Sequence, residues 1–270
     1  MTTATYRLAR QTARWCRFAV VTVEVVPAAS TAVQVARTAG GTRVERREAE
    51  LGAHSALRAL GDEGRRWQVT VTEIRATETD TGVGDVHEAS ARAVWRAAGG
   101  GPARRGYDGL ADPGLVAAWL RDRLGLRLDG VTEARHWYDG RRDGDTASLL
   151  HAWLHFTSCP PALLHGRGEA LLLSTEDPYG PYDMAEHGDV RVGPARPPDL
   201  LASVVGERLT GAAVLVDVVT GGCGGLLLRL GGTDLLVAAV GDEWVLERDP
   251  RRAAVEARWE VRPERLDNYS

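Results

Sequence analysis

His151, His155 and Cys159 follow one another at four-residue intervals in LLHAWLHFTSC, residues 149–159. On a helix these three metal-ligand types would share one face. On a strand, at ~3.3 Å per residue, the two histidines stand about 13 Å apart, too far for one zinc with bonds of about 2.0–2.3 Å. The strand reading puts Leu150, Ala152, Leu154 and Phe156 on one side and His151, Trp153 and His155 on the other. A helical stripe of Leu149, Leu150, Trp153 and Leu154 leaves Phe156 outside it. GRRDGDT before the segment and Pro160-Pro161 after it leave room for a strand and little more. A strand without a metal site is therefore expected, and metal binding would need His165, His187 or a cysteine to fold back onto it.

The other polar and aromatic concentration is STEDPYGPYDMAEHGD, residues 174–189. Two turns set by Pro and Gly hold Tyr179 and Tyr182 beside Glu176, Asp177, Asp183, Glu186 and His187. Such a loop serves recognition, or acid–base chemistry centred on His187. Its structural alternative is an irregular connection whose tyrosines cover the edge of a sheet. The candidate binding residues are Glu176, Asp177, Tyr179, Tyr182, Asp183 and His187.

Other chemistries fail on their residues. All 33 basic residues are arginine, so no lysine is present for a Schiff base, a pyridoxal phosphate linkage, a P-loop or a kinase site. HEASAR starts like a zincin helix but has Arg92 near the place of the second histidine. DGRRDGD resembles a calcium loop in composition only, with Arg141 at a ligand position and no closing glutamate. There is no Gly-x-Ser-x-Gly elbow and no Cys-x-x-Cys. GGCGG, residues 221–225, reads as a flexible hairpin loop, and nothing near Cys223 would activate its thiol. No cofactor is expected.

Composition bounds the setting. Ile74 and Asn268 are the only residues of their types, and with the missing lysine they describe a GC-rich bacterial genome, so the arginine clusters are read as solvated surface. A formal charge of −4 gives no reason to expect nucleic acid or an anionic membrane as partner. Three separated cysteines read as reduced thiols in a cytosol. Arginines before FAVVTVEVVPAAS imitate a signal peptide, but Val21, Val23 and Val25 alternate with Thr22 and Glu24, as in a strand.

The elements that must carry these residues fall into two units around GGGPARRGYDGLADPG, residues 99–114. In the first, strands are expected at 18–26 and 67–77, and helices at 47–60 and 85–98. Asp85 is read as an N-cap with Glu88 completing a capping box. In the second, helices are expected at 112–126 and 197–209. Short strands at 169–175, 189–194, 212–220, 225–232, 233–241 and 242–248 form an antiparallel meander. The segment VTVTEIRATETDTGVGDVHEASARAVWRAA, with its Val-Thr strand, Asp80-Thr81 turn and Ala-rich helix, resembles the fourth domain of elongation factor G, a ribosomal protein S5 domain 2-like fold. The likeness spans residues 18–98 and implies a fold module, since the GTP-binding domain and its P-loop are missing.

The chain is thus expected to be α+β: an N-terminal two-layer α/β sandwich (1–98), a Gly/Pro-rich linker (99–111) and a helix-covered antiparallel sheet (112–270). The expected role is a non-catalytic cytoplasmic binding or scaffold protein, acting through protein partners or self-association. The alternative is a small hydrolase or transferase using His187 or His155 with nearby carboxylates.

Overall fold

Alternating β-branched residues make strands of both valine-rich runs in the first unit, as the computed structural model shows. It describes residues 1–60, 66–99 and 107–264. The chain divides into two units, Met1–Gly109 and Leu110–Ser270, and its class is α+β with strand exceeding helix.

The first unit runs β1 (Thr2–Gln11), β2 (Cys16–Pro27), β3 (Ala32–Val35), α1 (Arg43–Leu60), β4 (Trp67–Arg75) and α2 (Asp85–Ala97). Its sheet has the order β1-β2-β4-β3, antiparallel except for β3 beside β4. Val21, Val23, Val25, Val69 and Val71 meet Ala49, Ala53, Ala56, Ala89 and Ala93 of the helices in one buried cluster. Alanines let the helices approach closely, and Gly52 is where they come nearest. A Cβ there would lie 2.2 Å from the His87 carbonyl oxygen.

The start of α2 differs from expectation. Gly84, at φ 98°, occupies the N-cap, and no side chain of the segment caps the helix. Asp85 and Glu88 instead reach Arg17 of β2 at 2.7 and 2.8 Å. The cap comes from α1: Glu48 Oε2 accepts from the backbone N–H of Gly84 (3.1 Å) and His87 (3.3 Å).

Of the expected linker, residues 100–106 lie outside the described residues. Tyr107 is buried, its hydroxyl 2.5 Å from His87 Nδ1, and Leu110 exchanges backbone hydrogen bonds with Leu173.

The second unit holds α3 (Pro113–Arg121), β5 (Leu128–Trp137), α4 (Asp145–Ser148), β6 (Leu149–Phe156), β7 (Ala162–Arg167), β8 (Ala170–Ser174), β9 (Tyr182–Asp183) and β10 (Asp189–Pro194). These are followed by β11 (Leu209–Asp217), β12 (Cys223–Leu230), β13 (Thr233–Val240), β14 (Glu243–Arg248), α5 (Arg252–Glu256) and β15 (Trp259–Glu264). Two antiparallel sheets result, with orders β8-β7-β6-β5-β10-β9 and β14-β13-β12-β11-β15. Of the expected meander, β11 to β14 are consecutive neighbours in one sheet, whereas the strands expected at 169–175 and 189–194 are β8 and β10 of the other. The six-stranded sheet adds β5 and β7, whose interrupted patterns hid them.

Asp112 caps α3 as expected, accepting from Leu115 N at 3.1 Å. The helix expected over 197–209 shortens to a 3₁₀ turn at Leu200–Val204. Asp199 is drawn to Arg142 instead of capping, and Gly206 at φ 93° turns the chain into β11. The hairpin loop expected at 221–225 is strand from Cys223 onward. Its glycines allow close contact: a Cβ on Gly225 would sit 2.6 Å from that of Ala238. Among the described residues, no helix is long and apolar enough to cross a membrane.

Candidate functional site

One face of the six-stranded sheet collects the aromatic and imidazole side chains. Residues 149–156 are the strand β6, in register such that Trp153 faces Thr132 and Leu163, and His151 faces Ala134. Val192 of β10 extends the His151–Ala134 row, and Val190 pairs with His136. Five of the seven histidines (His136, His151, His155, His165 and His187) lie on this face or in the loop that returns over it.

The loop is held at two points. Tyr179 packs edge-on against fully buried Trp153, with ring centroids 5.0 Å apart, and its hydroxyl lies 2.5 Å from His151 Nδ1. At the far end His136 Nε2 donates to the His187 carbonyl oxygen at 2.6 Å. The next residue must be glycine, because Gly188 stands at φ 92° and a Cβ would meet the Trp137 carbonyl at 2.1 Å. Met184 and Tyr179 complete a cluster with Ala134, Trp153, Leu163 and Val190.

Burial fixes protonation here. It pushes the His151 pKa down to about 4, with His165 adding to the effect, and raises that of Tyr179 well above the ordinary value. The phenol therefore donates to a neutral imidazole. His155 is also shifted down by burial, Asp177 partly opposing, and its Nε2 lies 2.9 Å from Thr132 Oγ1.

The six predicted binding residues separate. Tyr179 and Glu176 are half-buried, while Asp177, Tyr182, Asp183 and His187 are exposed. Tyr182 leans on Tyr179 with centroids 5.9 Å apart and keeps 46% of its surface open. Asp183 Oδ1 accepts from Ala185 N at 2.8 Å, shaping the turn. The His187 imidazole points to solvent, 3.7 Å from Glu186. Sequence reasoning missed His136 and the pairing of His151 with Tyr179. The alternation in β6 put His151 and Trp153 on one face, but nothing local said which loop would cover it.

Two charge networks lie outside this face. In the second unit the carboxylates of Glu133, Asp145 and Asp199 stand within 4.8 Å of one another, the spacing of a cation site. The Arg135 guanidinium already fills it, with Nη2 2.8 Å from Glu133 and 2.6 Å from Asp145, while Arg142 forks onto Asp199 at 2.6 and 2.9 Å. Burial raises the Glu133 pKa, and the bond from Arg142 lowers that of Asp199. The group pins the 139–148 segment to β5. In the first unit Asp85 and Glu88 likewise hold Arg17, and Glu88 also holds Arg92. Cys223 is fully buried, which pushes its thiol up to about 12.

No family model matches the chain, and no curated protein matches it in sequence.

Proposed function

We propose that the chain is a cytoplasmic binding or scaffold protein without catalysis of its own, acting through a protein partner or a second copy of itself. The observation that carries this reading is Tyr182, an open ring fixed at the sheet edge and backed by Tyr179 and Trp153. Tyrosine offers a large, stiff, amphipathic contact at low entropic cost, which suits recognition.

The imidazoles favour binding over hydrolysis or group transfer. His151 and His155 are engaged by Tyr179 and Thr132, and His187 stands at the surface beside Glu186. The likeness of residues 18–98 to the fourth domain of elongation factor G is proposed as a fold module only. The succession of β4, the Asp80-Thr81 turn and α2 supports it, the turn being held by Phe18 N donating to Asp80 O at 2.7 Å.

The test compares wild type with Tyr182→Ala, both as immobilised full chain in soluble host extract and alone in sedimentation velocity. A specifically retained protein, or a concentration-dependent dimer, should be lost in the variant. Identical retention and association in the two would overturn the reading.

A further inference from the structure

Arginine over an aromatic face is a recurrent contact within this chain. Arg123 stacks on Trp119 at 3.7 Å, Arg191 on Trp137 at 4.0 Å and Arg96 on Tyr6 at 4.5 Å. Among the described residues, no cation of the chain lies over Tyr182, although its ring is 46% exposed and held from behind. Beside it in the chain Asp183 and Glu186 are exposed carboxylates without an arginine partner among the described residues, Glu186 standing 3.7 Å from the exposed His187 imidazole.

A cleft of the second unit offers a contrast. That cleft, of about 780 Å³ between β11 and α5–β15, also carries four acidic residues on its rim. Each has its own guanidinium: Asp234 with Arg229, Glu256 with Arg252, Glu260 with Arg262 and Glu264 with Arg121. Its charge is balanced internally, so nothing on it selects an occupant. At Tyr182 two carboxylates and an aromatic face are left without a guanidinium among the described residues.

We infer that the Tyr182 surface receives an arginine or lysine side chain from a basic segment of a protein partner, the ring contacting the cation and Asp183 and Glu186 pairing with it. This rests on reading the loop as a recognition surface. The combination is selective because a cation gains from the ring quadrupole and the carboxylates together, whereas a neutral chain gains only area and an anion is repelled. Arginine fits best, since its planar group stacks and forks at once.

The probe is a labelled Gly-Arg repeat peptide, with Gly-Glu and Gly-Ser repeats of equal length, titrated against the full chain by fluorescence anisotropy at about 50 mM and then higher salt. The Gly-Arg peptide should bind, and Tyr182→Ala, which changes no charge, should weaken it by about tenfold. The Asp183→Asn, Glu186→Gln pair should weaken it similarly and flatten its salt dependence. Tyr138→Ala, at another exposed tyrosine, should leave it unchanged. Gly-Arg binding that ignores Tyr182 would mean unspecific attraction to an acidic protein and would overturn the inference. Tyr182-dependent capture of the Gly-Glu or Gly-Ser peptide alone would overturn the cationic class while sparing the loop as a recognition surface. No Tyr182-dependence with any peptide would remove both.

Discussion

The Tyr179 hydroxyl meets His151 Nδ1 at 2.5 Å, whereas Tyr182, three residues on, touches Tyr179 and otherwise faces outward. One loop thus carries an anchor and a free contact. Tyr179→Ala should cost on the order of 2 kcal/mol, less than a fully buried aromatic because the ring is half-buried. Tyr182→Ala should stay within ~0.5 kcal/mol. Urea denaturation of both variants checks this, and equal losses would contradict the division.

In the first unit Glu48 sets a pH dependence. Burial, outweighing the backbone N–H groups it accepts from, raises its pKa from the ordinary 4.5 to about 8. The folded chain therefore keeps a proton that the unfolded chain releases, so stability falls as pH rises from 4.5 to 8. Buried His87 works in the opposite direction. Its pKa falls from 6.5 to about 3, so its contribution is lost as pH drops through that interval. Between pH 6.5 and 8 only the Glu48 slope remains of the two. Hydrogen exchange of α2 amides should quicken across that interval in wild type and do so much less in Glu48→Gln.

Gly52 is required by the approach of α1 to α2. Alanine would gain about 1 kcal/mol in helix propensity. Its Cβ, 2.2 Å from the His87 carbonyl oxygen, should cost about 3 kcal/mol and so prevail. Gly130→Ala, in β5 with nothing within 4 Å of the added carbon, should change stability by less than ~0.5 kcal/mol. The two midpoints in urea make the comparison, and a stable Gly52→Ala chain would refute this account of the helix contact.

Arg135→Met should destabilise the second unit by about 3 kcal/mol or more, because Glu133, Asp145 and Asp199 would then face each other with Arg142 alone. Thermal unfolding measures the loss, and a neutral outcome would show that the carboxylates tolerate each other without Arg135.

What could be read in advance depended on how local the signal was. The alternations in Val21–Val25, Val69–Val71 and Leu150–Phe156 named their strands, because period-two burial is written within a few residues. Leu128–Trp137 escaped, since Glu133 and Arg135 face inward to the carboxylate–guanidinium group and break the apolar pattern. The Asp85 cap failed for a similar reason: Arg17, distant in sequence, offers a stronger partner than two backbone amides. At the candidate site the loop and its tyrosines were legible. Their separation into anchor and exposed ring was not, because it depends on β6 lying beneath them.

The most direct measurement is a hydrogen-exchange footprint of the full chain with and without the partner that it retains. The account predicts protection concentrated over Tyr182–Asp189 and the adjoining β10, absent in the Tyr182→Ala chain. Protection over α5 and β15, at the rim of the 780 Å³ cleft, with the loop unchanged, would contradict it.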